Sequence, residues 1–412
     1  MDKKEFVHSL NKVKLVLGNG FDLHCGLHTK YSDFYCWSIE KFLELRKMIK
    51  SYCDNGDMNF FENDKINHIN VWDIFFAINS KPKPSENVRR WCDIENLMLS
   101  SFLTDEESKD QKFTSIYGLS KIHWDYIYDN LEDDISDNSR ILQFLIYFIF
   151  EKMRSNNIQK SKFYLFLLNE LKDFEKNFGK FIYNQQNNHW LEFCNHFTKK
   201  FPRTSYFKRA DDTILEICNE NCLISIDSFN YGTLSNKFSP LLMHINGDTN
   251  FPIFGIDTIF SPDDVRFIFT KTSRRISLDS ISESIETNMD LENVIIFGHS
   301  LDKADYSYFF PIFDKVMLTD YQSTGTVVFA FDIYNKKNEI DIKSNLMDSV
   351  SKIIYEYALE KRISNPSRLL DSLSTQKRII LYEIPCLKRE NYSYDEIDSE
   401  WDDIYKKVQT LK

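Results

Sequence analysis

Short apolar runs rich in β-branched residues, separated by long stretches of helical periodicity, dominate the hydrophobic pattern of the chain. Val13 to Leu17 (VKLVL) is such a run and ends in Gly18-Asn19-Gly20-Phe21-Asp22, which predicts a buried strand turning into a loop or helix. From about Tyr31 to Asp211 the apolar spacings are mostly three and four, as in Phe163, Phe166, Leu167, Leu171, Phe174 and Phe178. That spacing predicts amphipathic helices. Asn79 to Ser85 (NSKPKPS) reads as a break between two of them. The most apolar run, Ile141 to Phe150, is too short to span a bilayer and reads as a buried helix.

Strand-like runs return late, at Cys222 to Ile226, Leu241 to Ile245, Val294 to Phe297, Thr326 to Phe331 and Ile379 to Ile384. Helical patterns lie between several of them, around Asp279 to Met289, Asp305 to Met317 and Asn345 to Leu359. Such alternation predicts an α/β fold, a parallel sheet with helices on both faces. Its first strand is separated from the others by a large α-helical insertion. The expected organisation is a first strand and glycine-rich loop at 1–34, the insertion at 35–215, the rest of the α/β domain at 216–390 and a C-terminal helix at 391–412. Within that last segment, Ser399 to Leu411 reads as a surface helix. There is no internal repeat.

Composition sharpens this picture at the glycines. The 412 residues include only 11, where average usage gives roughly 29, so each one retained points to a backbone requirement. Gly18, Gly20, Gly26, Gly232, Gly247, Gly255 and Gly298 all fall at or just past predicted strand ends. In an open parallel sheet those ends are where ligands bind. A Gly-x-Gly after an apolar strand either brings backbone N–H groups to a pyrophosphate or forms an ordinary tight turn.

The net charge of −11 argues against general nucleic-acid binding, which needs clustered Lys and Arg. MDKKEFVHSL has no apolar h-region, so the expected location is cytoplasmic, without a membrane partner. The eight cysteines show no C-x-x-C pair and no zinc spacing, as expected of reduced, buried thiols.

The string Leu15 to Leu23 (LVLGNGFDL), continuing through Gly26-Leu27-His28-Thr29-Lys30-Tyr31, resembles the opening of the bacterial abortive-infection AbiH family. Trp91-Cys92-Asp93-Ile94-Glu95, Ser228-Phe229-Asn230-Tyr231, His244-Ile245-Asn246-Gly247 and Phe297-Gly298-His299-Ser300-Leu301 agree with it in order. That family is in turn similar to sirtuin-type NAD-binding domains. Gly18-x-Gly20 with Gly26-Leu27 resembles the sirtuin glycine-rich loop, Ser228-Phe229-Asn230 its Thr-x-Asn block, and Gly298-His299-Ser300-Leu301 its Gly-Thr-Ser-Leu block. The resemblance implies a Rossmann-like, sirtuin-like core, an anti-phage role, NAD or a related nucleotide as ligand or substrate, and a phage-derived trigger. Oligomerisation is left open. Two departures stand out: Asn246 occupies the place of the sirtuin base, and Gly232 that of an acidic residue. Both speak against protein deacylation, because an amide takes no proton at neutral pH.

What the resemblance implies chemically is cleavage of a nucleotide N-glycosidic bond, an NAD glycohydrolase activity. Asn230 would orient water or ribose hydroxyls, Asp22 would face the developing cation, and His244 would act as base or fix a hydroxyl in place of Asn246. Gly18, Asn19, Gly20, Gly298 and Ser300 would cradle phosphate, with Phe21 and His299 beside them, and Asp332 would contact a ribose. Each residue also has a plainer reading: Asp22 as a helix cap, Asn230 as a turn residue, His244 as a core histidine, His299 as a strand cap, Asp332 as loop polarity.

Asp93 and Glu95 form a separate candidate. They share a face on a strand, where they would hold Mg²⁺ for a nuclease, and diverge on a helix. A third reading of the chain is a nucleotide sensor without catalysis. His24 and His28 fall in an expected loop, so no zinc site is expected.

Overall fold

The computed structural model describes residues 2–27, 29–56, 68–79, 92–103, 123–131, 140–154, 158–186, 206–256, 260–277, 291–333 and 339–384. Six strands form one sheet: β1 (Val13–Leu17), β2 (Leu223–Ser228), β3 (Leu242–His244), β4 (Asn293–Phe297), β5 (Thr326–Asp332) and β6 (Ile379–Ile384). Their order is β3-β2-β1-β4-β5-β6, and every pairing is parallel. This is the Rossmann order, and it places β1 between β2 and β4. Leu17 pairs with Ser228 on one side and Phe297 on the other.

Parallel strands covered on both faces need apolar residues in both directions, which explains the consecutive apolar residues Leu15–Leu17 and Val294–Phe297. Leu15, Leu17, Ile226, Ile295, Phe297 and Val328 point to one face. There they pack with Val7, Phe21, Ala210, Ile214 and Ile217 of the helices Lys3–His8, Asn19–His24 and Tyr206–Ile217. Val16, Val294, Ile296, Val327 and Phe329 point to the other. The helices Tyr306–Lys315, Glu339–Glu360 and Pro366–Thr375 cover them through Phe309, Phe313, Ile353, Tyr357, Leu369 and Leu373.

Contacts divide the chain into two compact units. One holds the sheet and comprises Met1–Thr29, Ile182–Asp248 and Asp279–Lys412; the other comprises Lys30–Phe181 and Thr249–Leu278. The second unit is built mainly from the helices Ile39–Asn55, Val71–Asn79, Cys92–Phe102, Arg140–Met153 and most of Lys160–Gln186. Aromatic rings fill its core: Trp72 meets Phe75, Phe102, Trp124 and Phe269, and Phe34 meets Phe174 and Phe178. Arg274 and Glu175 make a buried ion pair at 2.7 Å inside it, and Glu175 also accepts the Phe254 amide.

The predicted strands recur with ends shifted by at most two residues, and Ile379–Ile384 coincides. The helical patterns at Asp305 and Asn345 become Tyr306–Lys315 and Glu339–Glu360. Those at Asp279 to Met289 and Ser399 to Leu411 lie outside the described residues. Two divisions of the chain differ from the expected ones: the stretch from Ile182 to residue 215, expected in the insertion, clusters with the sheet, and Thr249–Leu278 clusters with the helical unit, not with the strands that flank it. No helix among the described residues is long and apolar enough to cross a membrane. Cys25, Cys53, Cys218 and Cys222 are free thiols.

Candidate functional site

In this strand order the chain leaves β1 toward β2 and crosses to the other side at β4, so the topological switch point lies at the carboxyl ends of β1 and β4. Gly18, Gly20 and Gly298 meet there. The Gly18 amide donates to the Phe297 carbonyl at 2.9 Å, and the Gly20 amide to the Gly298 carbonyl at 2.8 Å. A Cβ on Gly18 would sit 2.5 Å from His299 Cα, and one on Gly298 would sit 2.4 Å from the Phe21 nitrogen. Gly298 also has φ +69°, in the left-handed region. These glycines therefore let two strand ends touch, and the amides of Gly18 and Gly20 are already spent on protein carbonyls. Gly18 is the N-cap of a six-residue helix, Asn19–His24, so Asp22 and His24 lie on a helix and neither caps it.

Beside this contact, at the ends of β1, β2 and β3, stands a buried polar cluster. Asp22 is 1% exposed. Its Oδ1 accepts from the Tyr206 hydroxyl at 2.9 Å, and its carboxylate also takes a hydrogen bond from Asn230. The Asn230 Nδ2 donates in addition to the Gly18 carbonyl at 2.9 Å. Burial pushes the Asp22 carboxyl up to about 7, against both side-chain hydrogen bonds, which pull it down. The Asn230 carbonyl lies 3.0 Å from His244 Nδ1. A carbonyl only accepts, so Nδ1 carries the proton and a neutral ring leaves Nε2 as a bare acceptor. Burial lowers the His244 pKa, against the Asn230 bond and the charge of Asp248. Asn246 is 4% exposed and donates to the Phe229 carbonyl at 3.4 Å. Asn230 is thus the shared member: its amide serves Asp22 and β1, and its carbonyl orients His244.

The other expected site residues separate from this group. Phe21 is fully buried, edge-on to Phe297, and belongs to the core. Asn19 accepts from the Thr29 hydroxyl. His299 packs edge-on to Phe229 and Phe309, takes the Leu301 amide on Nδ1 at 2.9 Å and has Asp305 3.6 Å from Nε2. Ser300 is exposed. Asp332, at the end of β5, pairs with His24 Nδ1 at 2.8 Å, and His24 lies edge-on to Phe297.

Asp93 and Glu95 lie on the helix Cys92–Phe102, where residues two apart point about 200° from each other. Glu95 is buried in an ion pair with Lys271 at 2.8 Å. His28 and the side chain of Asp93 are outside the described residues. Among the described residues, no group of three His, Cys, Asp or Glu side chains is placed to hold a metal ion.

Sequence reasoning missed Tyr206 and Gln186. Gln186 hydrogen-bonds Tyr206, accepts the Thr233 amide at 3.3 Å and donates to the Thr233 carbonyl at 3.2 Å. Tyr206 lies 184 positions from Asp22, and no motif or spacing joins them. It also missed the partner of Asp332, since His24 had been weighed only as a metal ligand. A third omission is Asp227, which binds Lys14 at 2.6 Å and the Tyr308 hydroxyl.

No curated protein and no solved structure matches the chain. The likeness to sirtuin-type domains rests on the short blocks alone. A family model, bacteriophage abortive infection AbiH, matches residues 15–327, from within β1 to within β5 and well over half of the length. With LVLGNGFDL at one end of that span and FGHSL near the other, the chain belongs to the AbiH family of bacteriophage abortive infection.

Proposed function

We propose that this AbiH protein binds NAD or a related nucleotide at the carboxyl ends of β1–β3 and hydrolyses its N-glycosidic bond, depleting the infected cell. The reading is carried by one juxtaposition: Asn230 joins the buried carboxyl of Asp22 to the oriented imidazole of His244. Cleavage of this bond asks little covalent work of a protein. Water adds to C1′ of the ribose while the C1′–N bond breaks, and the electron pair leaves with the nicotinamide nitrogen. His244 Nε2 takes the proton of the attacking water, and ionised Asp22 stabilises the oxocarbenium-like ribose.

The donor set fits a sugar better than a phosphate. A carboxylate, a carboxamide and an imidazole acceptor suit hydroxyl groups, whereas the amides of Gly18 and Gly20 are engaged by Phe297 and Gly298. Asn246, without a titratable proton, serves as a hydrogen-bonding neighbour.

The test is nicotinamide release by purified protein, with and without phage lysate, measured beside calorimetric binding of NAD. Release that falls 10²-fold or more in His244→Gln supports the hydrolase. Tight binding without turnover under every condition converts the reading to a sensor. Neither binding nor release removes it.

A further inference from the structure

A side chain at Gly232 would displace that of Gln186. A Cβ there would meet Gln186 Nε2 at 2.3 Å, because the Gln186 carboxamide lies over the turn and bonds both the N–H and the C=O of Thr233. The same carboxamide donates to the Tyr206 oxygen, and Tyr206 donates to Asp22. Four groups therefore run in series through the interior, from the Thr233 backbone through Gln186 and Tyr206 to Asp22. Gln186 and Tyr206 are 6% exposed each, so solvent offers no competing partner. The hydroxyl has one proton and gives it to Asp22; the amide that faces its oxygen strengthens that donation.

We infer that Tyr206 and Gln186 are positioning residues for the candidate site, a buried relay that fixes the orientation and charge of Asp22 from the Gly232–Thr233 turn. The inference rests on the site reading above for its function, while the relay itself is a property of the folded chain. Tyr206 faces the Asp22 carboxylate from the helix Tyr206–Ile217, and the Cys25 thiol, just past the short helix Asn19–His24, interacts with both; around Cys25 in turn lie Arg209, on the helix of Tyr206, and Asp332 at the end of β5, which pairs with His24. Of these, Tyr206 hydrogen-bonds the Asp22 carboxylate directly.

The experiment measures stability against pH from 4 to 9 by urea unfolding, in the full chain, for wild type, Asp22→Asn, Tyr206→Phe, Gln186→Met and Gly232→Ala. Asp22→Asn identifies the part of the profile that belongs to Asp22. Tyr206→Phe removes a bond that favours the carboxylate, so the Asp22 midpoint moves up by about one pH unit. Gln186→Met and Gly232→Ala, the second by displacing the carboxamide, shift it the same way by less. A midpoint unmoved in Tyr206→Phe, or unmoved in both other variants if Tyr206→Phe does not fold, overturns the relay. So does a profile that Asp22→Asn leaves unchanged. No ligand enters this measurement, so absent NAD hydrolysis defeats the functional reading and leaves the relay to stand or fall separately.

Discussion

Gly20 and Gly298 touch backbone to backbone: the amide of one donates to the carbonyl of the other at 2.8 Å, and a Cβ on Gly20 would lie 2.6 Å from Gly298 Cα. The contact joins the ends of β1 and β4 at the switch point of the sheet. A side chain at either glycine acts first on folding, before any ligand is involved.

Gly20→Val is therefore expected to destabilise the protein by about 3 kcal/mol, at the upper end of ordinary overpacking because backbone lies on the far side. Gly298→Ala adds a left-handed φ to the same clash and should be at least as harmful. Urea unfolding checks both. A Gly20→Val protein of wild-type stability that had lost only nucleotide affinity would return the glycine loop to a phosphate-binding role.

Asp22 gives a pH dependence whose sign is fixed. Its carboxyl titrates near 3.8 in the unfolded chain and is pushed up to about 7 in the fold. Between those values the folded protein holds a proton that the unfolded chain has lost, so stability falls as pH rises from about 4 to 7. The full loss is about 4 kcal/mol, at about 1.4 kcal/mol per unit. Asp22→Asn should therefore gain on wild type by up to that amount across the same window. A wild type that gains instead would mean the carboxylate ionises freely in the fold.

Lys14, on β1, neutralises Asp227, on β2, at 2.6 Å; Asp227 is 2% exposed, and its Oδ1 has no hydrogen-bond partner among the described residues. Lys14→Met leaves that carboxylate to the Tyr308 hydroxyl and should cost about 3–5 kcal/mol. Removing both charges, Lys14→Met with Asp227→Leu, should cost clearly less than the single change. Equal losses in chemical denaturation would assign the damage to packing.

Glu95 separates two chemistries. Because it pairs with Lys271 in the interior, Glu95→Gln should lower stability by about 3 kcal/mol through the stranded ammonium. It should leave tRNA and plasmid as intact with Mg²⁺ as wild type does. A stable Glu95→Gln variant that abolished Mg²⁺-dependent cleavage present in wild type would restore the nuclease reading.

The sheet was legible because its central strands are covered on both faces and so carry short, dense apolar runs: the apolar residues of Val13–Leu17, Asn293–Phe297 and Thr326–Asp332 need no partner to be recognised. Part of the site was legible for a related reason. Asp22 and Asn230 follow, and His244 ends, strands whose parallel pairing carries their ends to one rim. What the sequence hid was contact between residues far apart. Tyr206 is an ordinary aromatic on an amphipathic helix until folding sets its hydroxyl on Asp22. Gly18 and Gly298 do follow strand ends directly, whereas Gly26 follows a helix and Gly255 packs against Lys271; a φ or a Cβ distance is invisible in sequence, so the sequence alone does not separate a close backbone approach from a ligand cradle. Thr249–Leu278 was assigned by position between two strands, while its packing partners, such as Glu175 against Arg274, lie far back in the chain.

The placement of β1 has a consequence for synthesis. Val13 pairs with Leu223 and Asn293, so the centre of the sheet precedes both of its neighbours by more than 200 residues. At typical elongation rates of about 5–20 residues per second, β1 leaves the ribosome roughly 10–60 s before both neighbours exist. Through that interval the helical segment can collapse on its own aromatic residues while VKLVL waits with two open edges. The last strand to arrive beside β1, Asn293–Phe297, brings Gly298 onto Gly20, so the rim around Asp22 is completed only once most of the chain has been translated.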